Sequence, residues 1–157
     1  AGAYRGFNLL VGNSTELHWH SNRSDRTERL SPGVHGLSNH LLDTPWPKVQ
    51  RGKRRLGELL SSRSQQLVDG LFSMLAERTP APDHALPDTG VGFARERVLS
   101  PAFIVSPEYG TRSSTVLLID YHGEVNFIER SFGESGTQIG SSAVTFTSGS
   151  ASKPAAA

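Results

Sequence analysis

GLSNHLLDTPWPKV, residues 36–49, joins a part of the chain rich in strand signals to a part rich in helix signals. Asp43 and Thr44 are residue types that cap helix N-termini. Proline is tolerated in the first helical turn, because the N–H that it lacks would have no partner there. Pro45 and Pro47 therefore fit the entry of a helix. The stretch predicts a rigid strand-to-helix junction, capped by Asp43 or Thr44, with the tryptophan between the prolines packed across it.

Upstream of this junction, short runs bounded by turn residues predict β-structure. The run GFNLLVG at 6–12 is closed by glycines and indicates a buried strand. The segment ELHWHSN at 16–22 alternates apolar and polar residues, which is typical of the return strand of a hairpin. We expect a polar loop at 21–29, SNRSDRTER, and a third strand at 33–39 that leads into the junction.

Downstream of the junction, the spacing of leucines predicts two consecutive amphipathic helices, at 46–61 and 64–78. Residues 79–93 are rich in proline and glycine and predict a long loop without regular structure. Loops of this length are often functional.

The remainder of the chain predicts sheet. Apolar or alternating runs indicate strands at 102–106, 113–120, 124–132 and 143–147, and the strand at 113–120 is apolar enough to be strongly buried. Strands, then two helices, then strands again indicate an α+β fold with antiparallel sheets.

Composition narrows the class of protein. At 157 residues the chain is long enough for one domain, which we place at 1–147, followed by a low-complexity tail at 148–157 that we expect to be disordered. A formal net charge of +1 gives no field that would draw the protein to nucleic acid. No apolar run is long enough for a transmembrane segment, and the absence of cysteine excludes disulfides and thiolate sites within this chain. These features predict a cytoplasmic protein.

Two polar pairs are candidates for chemistry. Ser38 and Asn39 stand at the end of a predicted strand, where an asparagine amide can face a developing oxyanion, although such residues also serve simply as caps and turns. Thr111 and Arg112 stand at the start of an apolar strand. There an arginine can clamp a carboxylate, or it can remain in a solvated surface turn. We expect Asn39 and Arg112 to converge on one cleft and bind an anionic ligand group.

Histidines are the remaining candidates. His18 and His20 share one face of a predicted strand, and His35 and His40 lie close to the junction. Imidazole nitrogens can hold a metal or flank a cofactor, but no acidic residue follows at the spacing of a known metal motif. We therefore predict no metal-ion site, and exposed or core-packed histidines are the simpler alternative.

An ordered set of sequence blocks resembles the NRDE protein family, also called the Transport and Golgi organisation protein 2 family. The two most specific blocks are GLSNHLLDTPWPKV and YGTRSSTVLL, and the resemblance covers about residues 6–132. The Asn-Arg-Asp-Glu element that names the family, shortly after an initial Met-Cys, is absent. The resemblance therefore implies the carboxy-terminal part of a longer protein or a truncated relative. The missing N-terminal segment would be its partner, and one face of its sheet would lack its cover.

The family is similar to the Ntn-hydrolase superfamily. The resemblance thus implies Ntn-hydrolase-like αββα layers, incomplete at the N-terminus. In the bile-salt-hydrolase-like branch, an amino-terminal cysteine is the nucleophile, an asparagine supports the oxyanion and an arginine flanks the nucleophile. By this likeness Asn39 and Arg112 would take the asparagine and arginine roles, and Ser38 and Thr111 would contact the ligand beside them. The cysteine would lie on a segment missing from this chain.

Members of the family are connected with intracellular haem trafficking and with lipid or acyl-CoA metabolism. The resemblance therefore implies binding and trafficking of haem or a similar amphipathic ligand, with an Ntn-type amide or acyl hydrolase as the alternative. Ala1 has no side-chain nucleophile, so binding is favoured and this chain alone is expected to be inactive. If haem is the ligand, the candidate axial ligands are His18, His20, His35 and His40, although the ring could also be held without strong axial ligation.

Overall fold

The computed structural model describes residues 5–62 and 66–148, which fold into two antiparallel three-stranded sheets and three α-helices. The α+β class, the antiparallel sheets and the two consecutive helices predicted from the sequence are confirmed. The first sheet contains β1 (Asn8–Gly12), β2 (Leu17–Ser21) and β3 (Arg26–Arg29). The second contains β4 (Ser113–Ile119), β5 (Glu124–Phe132) and β6 (Gln138–Thr147). Between the sheets in sequence lie α1 (Pro47–Ser61), α2 (Leu67–Leu75), a short 3-10 turn (Asp83–Ala85) and α3 (Phe93–Leu99).

The first sheet begins with the predicted hairpin, but the prediction of a buried strand at 6–12 is wrong, since Leu9, Leu10 and Val11 of β1 are exposed. The side-chain oxygen of Asn13 accepts hydrogen bonds from the backbone N–H groups of Thr15 and Glu16 and so closes the turn between β1 and β2. Trp19 is fully buried, and its indole N–H donates to Oδ1 of Asn8 at 3.0 Å. Because the indole has both its ring buried and its one donor satisfied, it fixes β2 against β1.

The third strand of this sheet is not the one predicted. Residues 33–39 form no strand, whereas β3 occupies part of the segment predicted as a polar loop and pairs with β2. All residues of β3 are exposed, because β3 is an edge strand of the sheet. Its sequence therefore carries no apolar pattern. At 33–39 the N–H and C=O of Gly36 are both bonded to Asp43, which removes them from any sheet.

The main core lies between α1, α2 and the second sheet. Its buried residues are Leu59, Leu71, Phe72 and Val116. Gly70 permits this contact, because a Cβ on it would lie 2.5 Å from a methyl group of Leu59. The observed bounds of α1 agree with the predicted helix, and α2 is shorter than predicted. The first residues of the predicted second helix, 64 and 65, fall outside the described part of the chain.

The second sheet is covered on one face only. In β4 the buried Val116 alternates with the exposed Leu117 and Ile119, so the prediction of a strongly buried strand is wrong. α2 packs against β4 on the Val116 side. Among the described residues, no strand of the first sheet is in extensive contact with a strand of the second.

Two further predictions of local structure need correction. Residues 102–106 form no strand but a loop in which only Phe103 is buried. The N–H of Phe103 donates to the carbonyl of Glu77, and a single bridge pairs Val105 with Gly110. The loop predicted at 79–93 is largely irregular, as expected, but its last residue starts the unpredicted helix α3. Gly92 is the N-cap of α3 at φ +89°, and its carbonyl accepts the N–H of Glu96 at 3.0 Å as the first hydrogen bond of the helix.

No helix in residues 5–62 or 66–148 combines the length and the apolar character that crossing a membrane requires. Except for its first residue, the predicted disordered tail at 148–157 lies outside the described residues.

Leu59 and Leu60 give a matched test of this core, because they are neighbours on α1 and only Leu59 is buried. Leu59→Ala should lower the free energy of unfolding by about 2–5 kcal/mol through lost burial and a cavity. Leu60→Ala should change it by about 0.5 kcal/mol or less. Urea unfolding followed by circular dichroism measures both, and equal losses would contradict the packing of α1 on α2.

Candidate functional site

Asp43 closes the loop that leads into α1. Its carboxylate accepts hydrogen bonds from the Gly36 N–H at 2.8 Å, from Lys53 Nζ at 2.6 Å and from His35 Nδ1 at 3.0 Å. Its own N–H donates to the Gly36 carbonyl at 2.8 Å. Asp43 adopts φ +54, a left-handed conformation that aspartate and asparagine tolerate better than most residues. The loop from 36 to 43 is therefore tied at both ends to one side chain, and Lys53 ties that side chain to α1.

The predicted capping role of Asp43 and Thr44 is wrong. Trp46 is the N-cap of α1 and makes no side-chain cap hydrogen bond, and Pro47 occupies the first helical turn. The Thr44 hydroxyl instead donates to the Leu41 carbonyl. Asp43 stabilises the junction through the loop rather than through the helix N-terminus. The tryptophan does pack across the junction, with its ring centroid 5.6 Å from that of His40.

The ionisation of Asp43 and His35 follows from these contacts. Burial alone would raise the pKa of Asp43, but the hydrogen bonds from Lys53, His35 and the Gly36 N–H outweigh it and lower the pKa to about 2. The two ring nitrogens of His35 face a carbonyl, that of Ser31 at 2.9 Å, and the Asp43 carboxylate. Both partners are pure acceptors, so only the doubly protonated ring can donate to both of them. The bond to Ser31, followed by that to Asp43, accordingly raises the pKa of His35.

A cleft with a volume of about 450 Å³ opens beside this junction. The 39–40 segment and the first residues of α1 form one side of it, and the 87–91 loop and α3 form the other. Its apolar lining includes Trp46, Val91 and Leu99, and its cationic lining consists of Arg23 and Lys48. Its lining also includes the acidic Asp88 and Glu96, so polar and apolar groups contribute about equally. A cavity of this size is typical of small-molecule sites.

Lys48 is the central cation of the cleft. Its Nζ donates to the Leu99 carbonyl at 2.8 Å, which holds the amine against the C-terminal end of α3. Burial lowers the pKa of Lys48, and the negative charge of Glu96 offsets part of that effect. The amine is therefore positioned and partly desolvated, which strengthens its interaction with an anionic group.

Glu96 fixes the opposite wall. It is almost fully buried, and its carboxylate accepts hydrogen bonds from the N–H of Thr89 at 2.7 Å and from the Thr89 hydroxyl at 2.6 Å. A buried carboxylate needs such donors, so α3 and the 87–91 loop are held together at this point. Sequence reasoning missed Glu96 and Lys48. Each stands among other charged residues, and no local pattern separates it from its neighbours.

The structure keeps the two predicted polar pairs apart. Asn39 lines the cleft, and both Ser38 and Asn39 line two adjoining clefts. Thr111 closes the 104–111 loop instead, since its hydroxyl accepts the N–H of Ile104 at 2.9 Å. Arg112 is exposed and lines none of the clefts that Asn39 lines. The roles assigned to these four residues stay predictions, and the geometry favours the Ser38–Asn39 pair.

Of the four histidines, His40 is the one that lines the cleft. The Thr44 hydroxyl gives its proton to Leu41, so it accepts from Nδ1–H of His40 at 2.9 Å, which leaves Nε2 unprotonated in the neutral ring. His35 has both nitrogens engaged. His18 and His20 lie side by side on one face of β2, outside this cleft. Within the described residues, no group of three or more metal-binding side chains is placed to hold a metal ion.

Comparisons with known proteins agree on one family. A family model described as Transport and Golgi organisation 2 matches residues 1–134. The chain is 36% identical over 141 residues to the Transport and Golgi organization protein 2 homolog of Bos taurus, and 35% identical over 142 residues to that of Homo sapiens. Each match covers 82% of this chain and 51% of the relative. The chain thus spans about half the length of the curated relatives it matches.

Asp43→Asn tests the loop closure, because asparagine keeps the shape and the left-handed conformation but loses the charge. We expect a loss of about 1–3 kcal/mol of stability from weakened charged hydrogen bonds. Asp25→Asn is the control, since Asp25 is exposed, also has a positive φ, and its carboxylate makes no hydrogen bond within the described residues. Thermal unfolding of both variants measures the difference, and equal effects would contradict the proposed closure.

The same contacts predict how stability depends on pH. The pKa of Asp43 is about 2, below its ordinary 3.8, so its contribution is complete above about pH 3.8 and disappears as the pH falls through about 2. The pKa of His35 is raised above 6.5, so its contribution is complete below pH 6.5 and is lost as the pH rises through the raised value. In Asp43→Asn the acid limb of the stability profile should flatten, and the alkaline limb should become smaller without disappearing, because His35 keeps its bond to Ser31. Urea midpoints from pH 2 to 8 measure both.

Proposed function

Because the chain belongs to the Transport and Golgi organisation 2 family, we propose that its cleft binds an amphipathic small molecule with an acidic group, of which haem is one candidate. One observation carries the proposal: apolar and cationic side chains share a cleft whose two walls are each held by a buried or tied carboxylate. Such a lining suits a ligand with an apolar body and an anionic end. Metabolites that carry a carboxylate on an apolar frame form the general substrate class.

The apolar body of the ligand would lie against the half-buried Trp46 and against Val91 and Leu99, which line the same cleft. Val91 is exposed on an irregular loop, where an unsatisfied apolar side chain gains from contact with a ligand. Trp46 offers a flat aromatic face that can stack on a planar ring. These residues supply the affinity that does not depend on charge.

The acidic group would be held by Lys48 and Arg23. Lys48 is already oriented by the Leu99 carbonyl, and an ammonium has further donors to offer a carboxylate. Arg23 is exposed and lines both this cleft and the adjoining one. Its planar guanidinium can grip a carboxylate with two parallel hydrogen bonds.

If the ligand is haem, one histidine of the cleft, His40, could bind its iron. His40 has the tautomer a haem ligand needs, because its Nδ1 donates to Thr44 and its Nε2 keeps a lone pair. Lys48 and Arg23 would hold the propionates. His35 does not fit, since both of its nitrogens are already bonded. When bound, haem would be cargo that the protein carries, held at one side by His40 and at its edge by the two cations.

A hydrolase remains the second candidate, favoured by Asn39. Its amide has no hydrogen-bond partner within residues 5–62 and 66–148 and lines the cleft, so it is free to donate to an oxyanion. This candidate goes with Ntn-hydrolase-like αββα layers and a cysteine on another segment of the family chain. In a family chain that carries both regions, Asn39→Ala should then lower kcat on an acyl amide by about 10²–10³-fold. An unchanged kcat would contradict it.

We also propose a cytoplasmic location, on the grounds of the cysteine-free composition alone. The ligand proposal does not depend on it.

Haemin titration tests the binding function. The parent chain should show a saturable shift of the Soret band together with quenching of tryptophan fluorescence. His40→Ala should weaken binding by about tenfold or more, equal to about 1.4 kcal/mol. Lys48→Met should weaken it by about 10–100-fold, because a charge-assisted hydrogen bond is lost.

Two controls make the titration specific. His18→Ala, on β2 outside the cleft, should bind haemin as the parent does. The dimethyl ester of the porphyrin, which lacks the carboxylates, should bind the parent and Lys48→Met with similar affinity. If His40→Ala and Lys48→Met both match the parent, the cleft is not the haem site. If a fatty acid competes with haemin and His40→Ala leaves its binding unchanged, the ligand is an acidic amphipath other than haem.

A further inference from the structure

The face of the second sheet opposite α2 carries two rows of apolar residues across all three strands. The strand register places Leu117 opposite Phe127 and Phe127 opposite Val144. The next row contains Ile119, Val125 and Phe146, paired in the same way. Since directly paired residues point to the same side of a sheet, these six side chains form one continuous surface, which we call the outer face.

Five of the six outer-face side chains are open to solvent. Leu117 and Val144 are 54% exposed and Phe146 is 52% exposed, while Val125 in the middle is buried by its neighbours. Contiguous apolar surface of this kind is uncommon on monomeric proteins and marks an interaction site. The other face of the same strands is also apolar at Val116, Leu118 and Ile128, where it packs with the core at α2. A sheet that is apolar on both faces is typical of one covered on both.

The outer face has a defined boundary. The row beyond Leu117 is polar: Thr115 is paired with Glu129, and its hydroxyl donates to the Glu129 carboxylate at 2.9 Å. Glu129 is in turn paired with Ser142 of β6. The two apolar rows contain no charged residue. The surface therefore suits a flat apolar layer with a polar margin, and not a charged partner. No described cleft has an outer-face residue in its lining, so a small molecule has no enclosure there.

We propose that the outer face is the docking surface for the part of the family's chain that lies outside the matched region, which covers it with an apolar layer. The matched relatives carry about as much further chain as they share with this one, since the match spans 51% of their length. That further chain is present in every copy of such a relative, at a fixed ratio of one to one. It is therefore the occupant best suited to a surface whose exposure would otherwise favour aggregation. This proposal does not rest on the ligand bound in the cleft.

A mixing experiment tests it. This full chain and the separately expressed unmatched portion of the bovine relative should form a one-to-one complex by light scattering, with loss of the fluorescence of a bound apolar dye. Val144→Asp should raise the dissociation constant by about 100-fold or more, because it buries an unpaired charge. Thr145→Asp is the matched control. It is the next residue on β6 and faces the other side, where its hydroxyl donates to Asn126. It should bind within about threefold of the parent.

The other outcomes overturn the proposal. If the parent self-associates and Val144→Asp makes it monomeric, a second copy of this chain covers the outer face. If no complex forms and the parent stays monomeric, the face is simply solvated. If Val144→Asp and Thr145→Asp weaken the complex equally, the partner docks elsewhere. Far-UV circular dichroism of each variant, with Leu117→Ser as a second outer-face change, separates lost docking from lost folding.

Discussion

The carboxylate of Asp43 is the constraint on which the site depends. Three donors, the Gly36 N–H, His35 and Lys53, converge on it from two sides of the junction. A carboxylate with several charge-assisted hydrogen bonds is held in place more firmly than any neutral turn residue would be. The loop that presents Asn39 and His40 is thereby fixed relative to α1. Without that closure, neither residue would have a defined position beside Lys48.

The same loop joins the first sheet to the helices. The amide of Asn8 donates to the His40 carbonyl at 2.9 Å and accepts the indole N–H of Trp19, so the hairpin is attached to the cleft by a short polar chain. A buried polar group is costly unless it is bonded, and here each group satisfies the next. The histidine proposed as a ligand is therefore supported on one side by Thr44 and on the other by the first sheet. The far wall is held by Glu96 and Thr89 and is joined to α1 by the hydrogen bond from Lys48 to the Leu99 carbonyl.

The two faces of the second sheet are both apolar but differ in whether another element covers them. The inner face is closed by α2, with Arg130 stacked over Phe72 at 3.9 Å, while the outer face is left with apolar rows in solvent. Half-covered antiparallel sheets normally alternate apolar with polar residues. In the second sheet this alternation is absent over the two apolar rows of the outer face. The cleft and the outer face thus lie in different parts of the fold. The first is the proposed ligand site, and the second is the proposed docking surface.

The sequence by itself determined the positions of both predicted helices, of the β1–β2 hairpin and of the β4–β5 pair. The helices follow from the spacing of the leucines that they bury, and the hairpins follow from turn residues between apolar or alternating runs. It did not determine how deeply the strands are buried, since Leu9, Leu10 and Val11 of β1 are exposed. Only the tertiary structure decided the rest. β3 is a polar edge strand and has no apolar signal, and 33–39 is irregular because Asp43 takes the hydrogen bonds of Gly36. Arg112 is exposed and lines none of the clefts that Asn39 lines. Lys48 donates to the carbonyl of Leu99, which is 51 residues away in the sequence. No local sequence pattern could predict this contact.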